Sequence, residues 1–121
     1  MAQPEQPRSI LQVTGRDRVG FLQNLVTNDI SAPGLHYTAL LTPQGKYLAD
    51  FFVLHRPDDL LIDVASEICP SIVMRLNMYR LRADAQISQT DMDLCCGLGP
   101  IPPDGFADPR DPNLGWRAYG R

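Results

Sequence analysis

The stretch from Leu40 to Val53 reads LLTPQGKYLADFFV and decides the predicted fold. Two apolar runs flank a Pro-Gln-Gly-Lys turn, a pattern that indicates a β-hairpin. Alternation along the second arm places Asp50 on one face between Leu48 and Phe52. A lone carboxylate on an otherwise apolar face is costly unless it is paired, hydrogen-bonded or at the edge of a cavity. Asp50 is therefore the first candidate for a functional residue.

The length and composition of the chain are typical of one ordinary globular domain. Its 121 residues allow a single modest core, and 44% hydrophobic and 21% charged residues are usual for soluble proteins. No run approaches the ~20 apolar residues that a membrane span requires, and the N-terminus lacks the features of a secretory signal. We therefore expect no membrane partner and, for a bacterial source, a cytoplasmic location.

The charge and the cysteines argue against two further kinds of site. A net charge of −3 gives no sign of a general nucleic-acid surface, so no direct nucleic-acid partner is expected. Cys69, Cys95 and Cys96 show no CxxC or zinc spacing, and adjacent strand residues point to opposite faces. We interpret the three cysteines as small buried side chains and expect no metal in this chain.

The order of predicted elements gives the fold class. Hydrophobic periodicity predicts strands at 9–14, 35–42, 46–56, 60–65, 83–89 and 92–98, with helices over about 17–27 and 66–81. The order β-α-β-β-β-α-β-β indicates an α+β fold with a mainly antiparallel sheet and two helices.

The composition also divides the chain into three segments. Residues 1–8 are expected to form a disordered N-terminus, and residues 9–98 a folded subdomain. Residues 99–121 contain five prolines among Gly and Asp, a composition that does not sustain a strand ladder or a helix. This last segment is predicted to be a Pro-rich linker or arm.

Several motifs, in order, resemble one family. FLQNLVTND (Phe21–Asp29), LLTPQGKYLADFFV (Leu40–Val53) and RLNMYRLRADAQI (Arg75–Ile87) are similar to the N-terminal part of YgfZ-type folate-binding proteins. These proteins are relatives of the glycine-cleavage T-protein, an aminomethyltransferase. DPRDPNLGWR (Asp108–Arg117) resembles the segment that leads into the rest of that fold, so the similarity extends over about residues 10–117.

The resemblance implies a ligand, a role and partners. The fold would bind tetrahydrofolate between two related β-rich subdomains around a central channel, and this chain would carry one half of it. A YgfZ-type protein would act in iron–sulfur cluster assembly or repair, and thereby in enzymes that use such clusters, including a tRNA-modifying one. Folate and iron–sulfur client proteins are the partners that follow.

Two departures from the family argue against catalysis. The Lys-Gly-Cys-x-x-Gly-Gln-Glu motif that holds the family's reactive cysteine is absent, and no cysteine here matches it. Where the aminomethyltransferases carry an Asp-Asp doublet, this chain has Ala49-Asp50, so only the second acid is present. We expect a folate-binding module without activity of its own. An aminomethyltransferase-like enzyme and a structural remnant that binds nothing are the alternatives.

Pattern and resemblance together predict a folate site. Its seven residues are Asn28, Asp29, Thr42, Gln44, Lys46, Asp50 and Phe52. A carboxylate can accept hydrogen bonds from the amino and ring N–H groups of a pterin, and a lysine can meet the glutamate tail. Structural alternatives stand beside these roles. Asp50 could pair with an arginine, Asn28 and Asp29 could close a helix, and Lys46 could be a solvated turn residue.

Two surfaces carry further expectations. Arg75, Arg80 and Arg82 lie with Tyr79 at a predicted helix C-terminus, where cations complement the helix dipole or contact an anionic ligand or RNA. Half of a larger fold would also leave a sheet edge and a channel wall uncovered. The sequence therefore predicts a homodimer, or docking onto a chain that bears the missing half.

Overall fold

A computed structural model describes residues 7–120 of the chain. Its elements are β1 (Arg8–Thr14), α1 (Arg18–Gln23), β2 (Gly34–Leu41), β3 (Tyr47–His55), β4 (Leu60–Ala65), α2 (Cys69–Tyr79), β5 (Gln86–Gln89), β6 (Asp93–Gly97), β7 (Gly105–Ala107), a 3₁₀ turn (Pro112–Leu114) and β8 (Trp116–Gly120). The predicted α+β class, with two helices and antiparallel strands, is confirmed.

The strands form two antiparallel sheets. The larger sheet has the order β2-β3-β4-β1-β5, and the smaller has the order β6-β8-β7. In the larger sheet, β4 lies between β3 and β1, so that Asp63 is opposite both Phe52 and Ile10. The two neighbours of Asp63 in the sheet are therefore large apolar residues.

One face of the larger sheet forms the main core against the two helices. Phe51 and Val53 of β3 and Ile62 of β4 are fully buried there, together with Leu22 of α1 and Leu76 of α2. The alternation of β3 supplies this face, because residues two apart on a strand point to the same side. We call this side of the sheet the helix face and the opposite side the arginine face.

Helix α1 is shorter than predicted, because the chain after it pairs with a strand. It ends at Gln23 rather than near residue 27. The N–H of Thr27 donates to the carbonyl of Ala39 at 3.0 Å, and the N–H of Leu41 donates to the carbonyl of Leu25 at 3.1 Å. These bonds cover part of the edge of β2, so the backbone groups are not available to extend the helix.

The predicted linker or arm contains strands, so the inference that its composition excludes a strand ladder is wrong. Strand β8 pairs with both β6 and β7. The prolines lie in the connections, which leaves the proline-free runs GFA and WRAYG to form β7 and β8. Gly115, with φ of +100°, directly precedes β8 at a point where a Cβ would lie 2.1 Å from the carbonyl oxygen of Gly97.

The predicted disordered N-terminus needs a similar correction at its end. Arg8 is the first residue of β1 and pairs with Ala65 of β4. Residues 1–6, which make up most of that predicted segment, lie outside the described residues, as does residue 121.

Candidate functional site

The hairpin of β2 and β3 has the predicted turn, and five of the seven predicted site residues lie on the hairpin. The N–H of Thr42 donates to the carbonyl of Lys46 at 2.7 Å, and Gly45 takes the left-handed conformation with φ of +87°. The Thr42 hydroxyl accepts the N–H of Lys46 at 3.0 Å. Gln44 and Lys46 are exposed at the tip. Thr42 therefore stabilises the turn, and the tip is open to solvent.

Asp50 is exposed, so the prediction of a buried carboxylate at this position is wrong. It lies opposite the small residue Ala39, in the half of the hairpin nearer the turn. Its Oδ2 accepts the hydroxyl of Tyr47 at 3.0 Å. Burial, together with a hydrogen bond to the Asp50 carboxylate, raises the pKa of Tyr37 to about 12. Asp50 is thus held by tyrosines at the margin of the buried region.

Phe52 is buried at the centre of a group of arginines. The Cζ of Arg117 lies 4.0 Å from the ring centroid, that of Arg110 lies at 4.9 Å and that of Arg8 at 5.9 Å. The ring of Tyr37 packs beside it, with centroids 5.0 Å apart. Guanidinium groups are attracted to aromatic faces, so Phe52 positions these arginines on the arginine face.

The buried acid of this face is Asp63, whose side chain is 2% exposed. Its Oδ1 accepts Nε of Arg8 at 2.7 Å, and its Oδ2 accepts Nη2 of Arg117 at 2.7 Å and the hydroxyl of Tyr119 at 2.8 Å. Burial and the charge of Asp63 raise the pKa of Tyr119. One carboxylate therefore joins β1, β4 and β8, and ties the smaller sheet to the larger one.

Sequence reasoning missed Asp63, although a signal was present. LLIDVA (Leu60–Ala65) is a strand in which Asp63 is the only polar residue. A carboxylate in such a run requires charged partners, and those partners are 55 and 54 positions away in the sequence. The pattern could have shown that a partner was needed, but not which residues supply it.

The DPR turn after β7 positions the third arginine. Asp108 is buried and accepts the backbone N–H of Arg110 at 2.9 Å and its Nη2 at 2.6 Å. Burial alone would raise the pKa of Asp108, but the hydrogen bonds from Arg110 lower it on balance. The guanidinium then lies 5.4 Å from the ring centroid of Tyr37. Arg110 is therefore fixed by a carboxylate on one side and by aromatic rings on the other.

Arg110 and Tyr37 line an open cleft of about 730 Å³. Asn28, Asp29, His36 and Pro109 complete the lining. The Asn28 side-chain amide donates to the carbonyl of Tyr37, and Asp29 accepts both the N–H and the hydroxyl of Ser31. These bonds from Ser31 lower the pKa of Asp29. The structure thus places Asn28 and Asp29 together beside a guanidinium and an aromatic ring.

The cleft carries groups that can bind a polar ligand. A guanidinium suits an anionic group, an aromatic ring suits a planar one, and carboxylate and amide groups suit N–H donors and carbonyls. No cysteine lines it. Among residues 7–120, no group of three or more His, Cys, Asp or Glu side chains is arranged to hold a metal ion. The hairpin-tip residues Thr42, Gln44 and Lys46 are not part of its lining.

The comparisons with curated proteins give relatives of two kinds. The chain is 30% identical, over 91% of its length, to the mitochondrial iron–sulfur cluster assembly factor IBA57 homolog of Mycosarcoma maydis. It is 31% identical over 69% of its length to the homolog from Neurospora crassa. It is also 40% identical over 63 residues to the aminomethyltransferase of Bacillus subtilis. No known family model matches the chain.

The chain spans about a third or less of the length of these relatives: 34%, 21% and 17%, respectively. Among solved structures, aminomethyltransferase T of the glycine cleavage system from Bartonella henselae superposes with a TM-score of 0.65 at 15% identity. The superposition covers 72% of this chain and 25% of that one, so it shows a shared fold over part of the larger protein.

The comparison corrects the predicted location. The fungal relatives are named as mitochondrial proteins, which points to mitochondria and contradicts the cytoplasmic prediction. No helix within residues 7–120 is long and apolar enough to cross a membrane.

The sequence and structure comparisons agree with each other and with the motifs. The curated relatives are iron–sulfur cluster assembly factors and an aminomethyltransferase, and the fold matches part of a T-protein. The predicted resemblance is therefore confirmed: the chain is similar to iron–sulfur cluster assembly factors and to an aminomethyltransferase, and it shares part of the fold of the glycine-cleavage T-protein.

Proposed function

We propose that this chain is the folate-binding part of an iron–sulfur cluster assembly factor and has no catalytic activity on its own. The observation that carries the proposal is the similarity to an iron–sulfur assembly factor along 91% of the chain. The clients would be enzymes that use iron–sulfur clusters, a tRNA-modifying enzyme among them. Because the chain spans a third of that relative, the complete role would require further polypeptide.

Reduced folate is the proposed ligand of the cleft between Asn28, Asp29, Tyr37 and Arg110. The buried-acid argument from the sequence no longer supports it, because Asp50 is exposed. What supports it is the mixture of groups in the cleft, which suits a molecule with a planar heterocycle at one end and carboxylates at the other. The pterin would pack beside Tyr37, and a carboxylate of the tail would meet Arg110.

The other predicted site residues have separate proposed roles. Asp50 would accept N–H groups of the pterin from the neighbouring rim, next to Tyr37. Phe52 would act beneath the site by positioning Arg110. At the exposed hairpin tip, Thr42 and Gln44 would flank Lys46, and Lys46 would meet the glutamate tail of the folate.

Titration calorimetry with tetrahydrofolate under anaerobic conditions tests the ligand. The chain should bind it, and Asp50→Ala should weaken binding by about tenfold, the effect expected for losing one charge-assisted hydrogen bond. Asp58→Ala is the matched control, since Asp58 is an exposed acid in the turn before β4. Equal affinity of the wild type and Asp50→Ala for tetrahydrofolate would show that Asp50 does not contact the ligand. Absence of any heat of binding would show that tetrahydrofolate is not the ligand.

An exchange experiment tests the assembly role. The matching part of the Mycosarcoma maydis relative would be replaced by this chain and expressed in cells that lack the relative. We expect the chimera to restore the activities of iron–sulfur enzymes, whereas this chain alone should not. A stable chimera that restores nothing would contradict the proposed role.

An aminomethyltransferase-like reaction on tetrahydrofolate is the second candidate. The 40% identity over 63 residues to an aminomethyltransferase favours it. The measurement is one-carbon transfer to tetrahydrofolate by the purified chain. We expect none above background, and measurable turnover would establish the enzyme instead.

A homodimer, or docking onto a chain that bears the missing half, is also proposed. Strand β5 (Gln86–Gln89) is an edge of the larger sheet, and edge strands present unpaired backbone groups that can bind another strand. Light scattering coupled to size exclusion measures the mass. A dimer, or a complex with the rest of the relative, is expected, and a stable monomer with no affinity for that part would contradict it.

A further inference from the structure

Helix α2 has a second apolar stripe, on the side away from the core. Cys69, Ile72 and Leu76 form the buried stripe. Met74 and Met78 lie one turn apart on another side and are 63% and 58% exposed. Leu81 follows directly after the helix and is 87% exposed. Three large apolar side chains, two on the helix and one just after it, are therefore presented to solvent.

Leu81 has an unfavourable backbone conformation. Its φ is +43°, the left-handed region that favours glycine and that is costly for a branched side chain. The position just after a helix is one where glycine usually occurs. A leucine that is strained and also almost fully exposed gains nothing from packing within the described chain. A role in contact with another molecule would explain both features.

Beside Leu81 is a cleft of about 670 Å³ between α1 and the end of α2. Phe21 and Leu25 contribute apolar surface to it, and Arg16, Arg80 and Arg82 contribute positive charge. We call this cleft, together with Met74 and Met78, the α2 outer surface. An apolar pocket with a charged rim is the usual form of a peptide anchor site.

The arginines of this surface are available to a partner. The ion pairs within residues 7–120 involve other arginines, namely Arg8, Arg56, Arg110 and Arg117. Of the surface arginines, Arg80 donates to the carbonyl of Ala85 at 3.0 Å, and Arg82 is exposed.

The acids at the cleft are engaged with the backbone. Asp17 accepts the N–H of Asp84 at 2.8 Å, and Asp84 accepts the N–H of Arg16 at 3.2 Å. Three arginines (Arg16, Arg80 and Arg82) against two acids (Asp17 and Asp84) leave a local formal charge of +1, although the whole chain carries −3.

We propose that the α2 outer surface docks an acidic amphipathic helix of a partner protein. Leucine-like residues at i, i+4 and i+7 of that helix would contact Met74, Met78 and the cleft beside Leu81, and its acids would meet Arg16 and Arg82. Methionine side chains adapt their shape to a partner, which suits such a surface. The apolar stripe favours a peptide over RNA, whose recognition depends on more positive charge than this surface offers.

A second copy of the chain is a poorer occupant. Most dimers are two-fold symmetric, so that the same surface meets itself. The arginines of both copies would then face each other, and like charges across an interface are strongly unfavourable. Charge complementarity therefore selects an acidic partner.

The test uses a synthetic helical peptide with leucines at i, i+4 and i+7 and glutamates on both flanks. Fluorescence anisotropy should show binding to the chain, and a matched peptide with lysine for each glutamate should bind at least about tenfold more weakly. Equal binding of the two peptides, or none by the acidic one, would overturn the proposal. So would tighter binding of a single-stranded RNA oligonucleotide to the same surface.

Three variants test whether the peptide binds at the α2 outer surface. Met78→Glu should weaken binding of the acidic peptide by at least about tenfold, whereas Leu114→Glu, at a residue of similar exposure in the 3₁₀ turn before β8, should not change it. Leu81→Gly should weaken the peptide by at least about fivefold while leaving the melting temperature unchanged or higher, because glycine relieves the left-handed strain.

Other outcomes overturn the proposal. Peptide binding that Met78→Glu leaves intact would place the site elsewhere. A dimer of the wild-type chain that Met78→Glu dissociates would make a second copy the occupant. A large loss of stability in Leu81→Gly would show that Leu81 has a structural role instead.

Discussion

The two faces of the larger sheet are stabilised in different ways. The helix face is mainly apolar, and its side chains come from elements whose periodicity is visible in the sequence. The arginine face contains Asp63, Phe52 and three arginines, and it is covered partly by residues near the end of the chain. Ile62 and Asp63 are neighbours in β4, one on each face. Their comparison separates the contribution of apolar packing from that of a buried charge network.

The largest expected effect is at Asp63. Asp63→Ala leaves the guanidiniums of Arg8 and Arg117 buried without their carboxylate. Removing one partner of a buried ion pair typically costs about 3–5 kcal/mol in the free energy of unfolding. Urea denaturation measures it, and Asp58→Ala, at an exposed turn, should change stability by no more than about 0.5 kcal/mol. Similar values for the two variants would show that the network contributes little.

Removing a single methyl group from the helix face should lower the free energy of unfolding less than Asp63→Ala does. Ile62→Val removes one methyl group from a fully buried side chain and should lower the free energy of unfolding by about 0.5–1.5 kcal/mol. The same denaturation experiment measures it. A loss larger than that of Asp63→Ala would reverse the comparison, since it would make apolar packing the more sensitive of the two.

The change in stability at acidic pH tests two further ion pairs, Arg56–Asp59 and Arg110–Asp108. Hydrogen bonds from Arg56 lower the pKa of Asp59, and those from Arg110 overcome burial to lower that of Asp108. A carboxyl whose pKa is lowered in the folded state stabilises the fold above its unfolded-state pKa, near about 4. This contribution is lost as the pH falls through the lower folded-state values.

We therefore expect stability to decline below about pH 4, and Asp59→Asn to decline less over the same range. Denaturation midpoints measured as a function of pH provide the comparison. An unchanged slope in Asp59→Asn would show that this carboxyl is not a source of the pH dependence.

The smallest effect concerns Tyr37 at the rim of the cleft. Its pKa is raised from 10.0 to about 12 by burial and by the Asp50 carboxylate. Because the folded-state pKa is the higher one, the stabilisation is complete below about pH 10 and is lost as the pH rises toward about 12. Ultraviolet titration of phenolate follows it, with Tyr37→Phe to assign the signal. Asp50→Asn should lower this pKa, and an unchanged value would mean that the two side chains are not coupled.

The helix face could be predicted because its signals are local. Alternation in β3 and the helical spacing in α2 gave both the elements and the residues that they bury. Asp50 was misjudged because alternation gives the side of a strand, but not how far the covering layer extends along it. Asp63 was missed although its apolar run signals a need for charged partners. The partners Arg8 and Arg117 could not be identified, because they are far from Asp63 in the sequence and no local pattern identifies such a pair.

The candidate site also combines residues that the sequence identifies with residues that only the fold brings together. The motif resemblance selected Asn28 and Asp29, which the structure places in a cleft. It did not select Tyr37 and Arg110, which complete that cleft, because their proximity depends on the fold of the segment after β6. That segment was predicted to be a linker from its average composition. Average composition hides two short runs without proline, and these runs become strands.

The most direct test of the central claim is an NMR titration of the ¹⁵N-labelled chain with tetrahydrofolate. If the cleft is the folate site, the largest shifts will occur at Asn28, Asp29 and Arg110, including the side-chain amide of Asn28, and they will saturate. Tyr37 should shift with them, Asp50 should shift less because it lies on the neighbouring rim, and β6 should remain unchanged. Shifts confined to the smaller sheet, or no saturable shifts at all, would contradict the claim.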